Sequence, residues 1–239
     1  MTPETRDIVD EYWSDALDCS RETLRSDGVA VVASDANDTN DVEIVARGGS
    51  AVVAVAPDRS TVVREALAGL DAVDVVEPGV LVERLAAVDV AVDDVLGPAF
   101  LGYVDDSTLS PVERPARVLT EGDDRAYDEF RAACDDEWSA GGSSFVPGRS
   151  VGRFVGSELV ALAGYEVWDD TLAHIAVVTH PEHRDEGHAQ AVVSEVARAA
   201  LDAGLVPQYR TLDAWPWSVA VATNLGFERW GTSVLVRPA

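Results

Sequence analysis

The stretch from Ile175 to Gly204, IAVVTHPEHRDEGHAQAVVSEVARAALDAG, constrains the fold more than any other part of this chain. The apolar run IAVVT reads as a strand, and the run from Gln190 to Gly204 repeats its apolar residues at helical spacing. Between them HPEHRDEGHA is a strand-to-helix turn, so strands and helices alternate in layers here. At the start of such a helix several backbone N–H groups lack intrahelical partners, and the helix dipole adds partial positive charge. That end suits an anion. Arg184 offers a fixed cation, Gly187 lets a phosphate approach the backbone closely, and Ala189 keeps the third position small. Arg-x-x-Gly-x-Ala is nevertheless a short pattern, and a merely capped turn carries the same residues. Its surroundings decide between the two.

From Arg117 onward the pattern predicts strand RVLT, helix DDRAYDEFRAACDDEW, a Gly/Ser link, and strands VGRFVG, LVALAGYEVW and LAHIAVVT. The helix just described follows, then strand VPQYRTL, another helix and a last strand. This order predicts an α/β (α+β) class: a mixed, mostly antiparallel central sheet with flanking helices. Upstream, residues 4–26 read as one acidic helix with Ile8, Tyr12, Leu17 and Leu24 on its apolar side, stopped by Gly28. VEIVA and SAVVAVA flank Gly48-Gly49 as a hairpin, Ser60 caps a helix ending near Gly69, and PGVLVERLAAV forms a second short helix. VLGPAFLGYVD, punctuated by Gly and Pro, receives no assignment. STLSPVERPA, with two prolines, reads as the crossing between halves, giving a smaller N-terminal α/β region over 1–115 and a core over 116–239.

Charge excludes several roles. The 239 residues hold 43 acidic side chains against 18 basic ones, all Arg, for a net charge of −25. Such a surface repels nucleic-acid phosphates and anionic lipid, so neither nucleic acid nor membrane is an expected partner. With 47% hydrophobic residues in periodic runs, the chain is expected to pack rather than stay disordered. The composition resembles that of cytoplasmic proteins from extreme halophiles, where molar salt shortens the Debye length to roughly 3 Å. Cys19 and Cys134 read as reduced interior thiols, the first residues as an acidic helix start, and the longest apolar runs stop short of a membrane span. The expected location is the cytoplasm.

Taken with its flanks, AHIAVVTHPEHRDEGHAQAVV resembles the acyl-coenzyme A signature of the Gcn5-related N-acetyltransferase (GNAT) superfamily. SVAVATNLGFE resembles that family's closing helix and Gly-Phe turn, and the strand order over about 116–239 is similar as well. The whole chain is most like the larger, FR47-like members, in which a divergent N-terminal half precedes the core. The resemblance implies an acyl-CoA N-acyltransferase fold and an N-acetyltransferase that moves an acetyl group from acetyl-CoA, its co-substrate, to an acceptor amine by direct attack, with no metal. It implies that main-chain groups at Val177, Val178 and Thr179, on a strand splayed from its neighbour, bond the pantetheine arm and polarise the acetyl carbonyl. Main-chain N–H groups across Arg184, Asp185, Glu186, Gly187, His188 and Ala189 would cradle the pyrophosphate. The acceptor is expected to be a small-molecule or peptide amine, with the N-terminal half shaping its site or a homodimer contact.

Some positions depart from the family pattern. Asp185 and Glu186 stand where uncharged or basic residues are common, and a like charge beside a pyrophosphate costs of order 1 kcal/mol at low salt. Ala222 replaces a Tyr that often protonates the leaving thiolate and Trp215 replaces an Asn, leaving Tyr209 or Ser218 as candidate proton donors. A base must also free the amine's lone pair. Glu166 and His174 are candidates, with Asp169 and Asp170 nearby, against the alternatives of a solvated carboxylate and a packed histidine. Tyr165, Trp168 and Trp217 could line an acceptor pocket or belong to the core. His180, His183 and His188 have ligand-like spacing, but the turn lacks Cys, and a helix start disfavours a cation. Ala222, Trp215 and the acidic turn keep a second function open: a coenzyme-binding or interaction protein that retains the fold without the chemistry.

Overall fold

Runs of Val and Ala set the strands of the first hundred residues, because side chains branched at Cβ pack well on a pleated surface. In the computed structural model these are β1 (Gly28–Ala33), β2 (Val42–Arg47) and β3 (Ser50–Val55). The model describes residues 1–35, 41–135, 138, 141, 146 and 149–239. They divide into two units, one of Met1–Thr2, Gly102–Arg210 and Ala220–Glu228, the other of Pro3–Leu101, Thr211–Val219 and Arg229–Ala239. Each unit draws chain from both sides of residue 115.

In the unit that begins at Pro3 the strands lie in the order β1-β3-β2-β10-β4, with β4 at Val92–Tyr103 and β10 at Glu228–Pro238. β2 and β3 form the expected hairpin across Gly48-Gly49, whereas β1, which received no strand assignment, runs parallel to β3. All six β3 side chains are buried, as a strand covered on both faces requires. Helices α3 (Ser60–Ala66) and α4 (Pro78–Ala86) add Val63, Ala66, Leu81 and Leu85 to the core that holds Ile44, Val53 and Val234. Ser60 opens α3 rather than capping it, its hydroxyl donating to the Pro57 carbonyl at 2.9 Å. The unassigned VLGPAFLGYVD lies in β4 except for its last two residues, Val104 and Asp105, and there sheet pairing overrides the local Gly and Pro signals.

The single helix expected over 4–26 is two, α1 (Pro3–Ala16) and α2 (Arg21–Arg25). Asp18 takes a φ of 54° between them, and the Ser20 hydroxyl accepts from the Thr23 N–H at 3.0 Å, capping α2. The break lets Arg25 turn back on α1. Asp10 of α1 is 1% exposed and accepts from Arg25 Nε at 2.6 Å, Arg47 Nη1 at 2.5 Å and Trp230 Nε1 at 2.7 Å. Burial by itself would raise its pKa, but these donors together hold the carboxyl below its ordinary value. Trp13 stacks on Trp230 from the same side of α1, at 6.1 Å between ring centroids.

The other unit carries β5 (Arg117–Val118), β6 (Val151–Val155), β7 (Glu158–Trp168), β8 (Leu172–Thr179) and β9 (Val206–Leu212), in the order β9-β8-β7-β6-β5. Neighbours from β5 to β8 are antiparallel and β8 with β9 is parallel, so the sheet is mixed and mostly antiparallel, as expected. RVLT shortens to a two-residue strand. Thr120 and Asp123 then form a capping box that starts a single turn and α5 (Asp124–Ala133). Residues 136 and 137 of that expected helix and most of the Gly/Ser link fall outside the described residues. Phe130 and Cys134 pack with Leu159, Leu162 and Val178, which puts α5 on one face of β7 and β8. Helix α6 (His188–Asp202) packs against β6, β7 and β8, and α7 (Pro216–Asn224) precedes β10. Among the described residues no helix is long and apolar enough to cross a membrane.

Candidate active site

β8 ends at Thr179 and passes through a single turn, Pro181–His183, in which His180 Nδ1 accepts from the Glu182 N–H at 3.2 Å. Asp185 then takes a φ of 62°, and Gly187, the N-cap of α6, a φ of 76°. A side chain at Gly187 would meet two obstacles. The left-handed backbone is costly for L-residues, and a Cβ there would lie 2.9 Å from Arg114 Nη1. Arg114 donates to the Glu186 carbonyl, which draws its guanidinium over the turn. The turn thus carries two cations, the expected Arg184 and the unexpected Arg114.

The acidic residues are partly accounted for. The Glu186 carboxylate is turned onto His188, 3.0 Å from its Nε2, while Asp185 is exposed. His188 itself is buried as the first residue of α6, and its Nδ1 has no partner among the described residues. A helix start with unpaired N–H groups, a glycine that leaves the backbone open, an adjacent guanidinium and an orphaned ring nitrogen fit a ligand with phosphate and amide groups.

The strand before the turn has parted from its neighbour. β8 pairs with β9 from Leu172–Val206 through Ile175–Tyr209, and there the ladder stops. Ala176 to Thr179 remain paired to β7 alone among the described strands, with Thr179 opposite Ala161. On that edge Val177, Val178 and Thr179 have no strand partner among the described strands, and Gly141 lies close to the Val177 carbonyl oxygen, which would be 2.8 Å from a Cβ at that glycine. The Val178 side chain points away from this edge into the core beside Phe130.

His174 sits one rung before the parting. Its Nδ1 lies 2.7 Å from Gln208 Oε1, and Trp168 stacks on its ring at 4.1 Å with an interplanar angle of 10°. Glu166 is its cross-strand partner on β7 and shares its face of the sheet. Burial is the main influence on the imidazole and pushes its pKa below the ordinary value. The Gln208 contact and Glu166 oppose this shift, and Arg210 reinforces it. That direction favours the uncharged ring. Trp168, read as either pocket or core, is held to this histidine.

The other predicted residues lie elsewhere. Alternation sends Tyr209, paired with Ile175, to the face opposite His174, where it is 3% exposed and packs edge-on against Phe227 at 5.6 Å. Ser218 lies on α7, its N–H donating to the Trp215 carbonyl at 3.0 Å. Ala222 is fully buried. Tyr165 lies beneath the Arg149 guanidinium, at 5.9 Å, and Trp217 is exposed. Asp169 and Asp170 form the tight turn between β7 and β8, both with positive φ.

Glu158, His180 and His183, and again His183, Glu186 and His188, bring ligand atoms within 4.8 Å of one another. Because His180 Nδ1 accepts a backbone hydrogen bond, its proton sits on Nε2, facing Glu158. Of these contacts only His188 Nε2–Glu186, at 3.0 Å, is a hydrogen bond, while His180 and His183 lie 4.0 and 3.5 Å from the Glu158 carboxylate.

A strand that parts from its parallel neighbour and feeds a glycine-capped helix start is the arrangement of the acyl-CoA N-acyltransferase fold, and this chain has that fold. Residues 150–232 match the family model described as GNAT acetyltransferase, which identifies that segment as a GNAT acetyltransferase domain. The chain is similar to the structure of an acetyltransferase from the GNAT family of Colwellia psychrerythraea, at 13% identity and a TM-score of 0.51 over 78% of this chain and 76% of that one. It is also similar to a GCN5-related N-acetyltransferase from Kribbella flavida, at 21% identity and a TM-score of 0.50 over 67% of this chain and 64% of that one. At these identities the likeness is one of fold. No curated protein matches the chain.

Proposed function

We propose that this chain is an N-acetyltransferase that moves an acetyl group from acetyl-CoA to a small-molecule or peptide amine, with residues 116–239 as its core. The observation that carries the proposal is the parting of β8 from β9 beyond Ile175–Tyr209, immediately ahead of the α6 N-terminus. Acetyl-CoA would supply the activated thioester. The edge from Val177 to Thr179 would bond the pantetheine arm and orient the acetyl carbonyl. Arg114, Arg184 and the main-chain N–H groups from Asp185 to Ala189 would hold the pyrophosphate. His174 would take the acceptor's proton at Nε2, with Glu166 on the same face drawing a cationic amine toward it. Tyr209, an expected proton donor, is buried against Phe227 on the opposite face of the sheet, so the departing thiolate would take its proton from water. The acidic, Lys-free composition supports a salt-rich cytoplasm as the place of action.

Calorimetric titration with acetyl-CoA in molar potassium chloride tests this directly. The wild type is expected to bind. Gly187→Trp, whose side chain would fill the turn, is expected to abolish binding, and Arg114→Ala to weaken it about tenfold, the effect of losing one charge-assisted contact of roughly 1.4 kcal/mol. Absence of binding by the folded wild type would end the acyltransferase reading. The buried Ala222, where a proton-donating Tyr is often found, favours a second reading of binding without turnover. Binding with no acyl transfer across a panel of amines would establish that one.

A further inference from the structure

Gln208 lies on β9 with 0% exposure, and a buried amide must satisfy both of its ends. Its Nε2 donates to the Tyr103 hydroxyl at 2.6 Å, and Tyr103 is itself fully buried. This anchors the amide with Oε1 turned to His174 Nδ1, at 2.7 Å. An amide oxygen only accepts, so the nitrogen it faces must carry the proton. A ring nitrogen's hydrogen bond fixes which tautomer a histidine adopts. Trp168, stacked parallel at 4.1 Å, stops the ring from rotating to another partner.

We propose that Gln208, anchored by Tyr103, is a positioning residue that holds His174 as the Nδ1–H tautomer and leaves the Nε2 lone pair to receive the acceptor's proton. The use of that lone pair rests on the acyltransferase reading above, while the tautomer stands without it. In the transfer step the ammonium gives one proton to Nε2, the freed electron pair forms the N–C bond, the C–S bond breaks, the leaving thiolate takes the nitrogen's second proton through water, and the imidazolium then returns its proton to solvent. The charged groups facing the ring are Glu166 from β7 and Arg210 from β9, of opposite sign. Between them a neutral amide orients the ring without adding charge. A carboxylate at position 208 would hold the imidazolium instead and block the base at neutral pH.

Nitrogen-15 NMR of the imidazoles tests this on the full chain, which has only four histidines. His174→Asn assigns the His174 signals, and the other three report that each variant is folded. The wild type is expected to show His174 protonated at Nδ1 only. Gln208→Leu should shift the ring toward the Nε2–H tautomer and lower kcat by roughly tenfold to a hundredfold, within the range that general-base catalysis supplies, with KM for acetyl-CoA unchanged. Gln208→Glu should keep Nδ1–H but raise the His174 pKa by about one unit or more, moving the acid limb of the kcat profile to higher pH. Tyr103→Phe, a milder change should Gln208→Leu fail to fold, should loosen the tautomer preference in the same direction. A wild-type ring protonated at Nε2, or a Gln208→Leu spectrum unchanged at His174, would overturn the proposal. If the tautomer behaves as expected but His174→Asn leaves kcat intact, the positioning holds and the base role falls.

Discussion

Gly226→Ala is expected to destabilise the protein by about 2–5 kcal/mol, the sum of a left-handed backbone penalty and an overpacked contact. Gly226 has a φ of 90°, and a Cβ there would lie 1.9 Å from the Thr108 carbonyl oxygen and 2.8 Å from its carbon. Both obstacles are main chain, so no rotamer change can relieve them. The Ser110 N–H donates to the Leu225 carbonyl at 2.9 Å and pins the two segments together. Urea unfolding in molar potassium chloride, which screens the large net charge, reads the effect as a lower midpoint. A variant within about 0.5 kcal/mol of wild type, the ordinary range of surface changes, would show that the loop at Thr108 yields freely.

Asp10→Ala is expected to cost about 2–4 kcal/mol, because it leaves the buried Trp230 indole N–H and the half-buried Arg47 guanidinium without this acceptor, while the exposed Arg25 keeps Asp7. Arg25, Arg47 and the Trp230 indole all converge on this one carboxylate. The sign of the pH dependence follows from its lowered pKa. A carboxyl held below its unfolded value, ordinarily about 3.9, contributes fully above that value and loses the contribution as pH falls through the folded one. Wild type and variant should therefore differ by a constant amount from pH 7 down to about pH 5 and converge below about pH 4. Urea midpoints measured across that range check it, and a small difference at pH 7 would remove the carboxylate from the account of stability.

Gly226 and Asp10 also mark how far the sequence reaches. The LGF element was named as a closing turn through its resemblance to the Gly-Phe turn of the GNAT superfamily, and the structure gives Gly226 the positive φ that favours glycine. The carbonyl of Thr108 that makes glycine obligatory there lies more than a hundred residues away in the chain and leaves no trace in the local pattern. Nothing within a helical turn of the acidic first helix distinguishes Asp10 from Asp7 or Glu11. Its burial depends on the break at Asp18, which brings Arg25 back, and on partners from β2 and β10.

The candidate site divides in the same way. The strand, the turn and Gly187 were legible because a strand-to-helix turn with glycine at the N-cap is a short-range pattern with a short-range cause. His174 and Glu166 could be named from their residue types, but their pairing on one face required the β7–β8 register. Arg114 and Gln208 carried no signal. Arg114 sits between Glu113 and Pro115 of the crossing and reaches the turn across 72 positions, and Gln208 is one polar residue of the expected strand VPQYRTL, yet bonds Tyr103 across 105.

By itself, then, the sequence determined the class of fold and the place of the strand-to-helix turn proposed to hold the pyrophosphate, since periodicity, glycine positions and helix-start chemistry act within a few residues. Only the tertiary structure decided where β8 leaves β9, which cation covers the turn and which tautomer His174 holds. Each of these depends on side chains and strand edges that are distant in the chain and meet only when the sheet assembles.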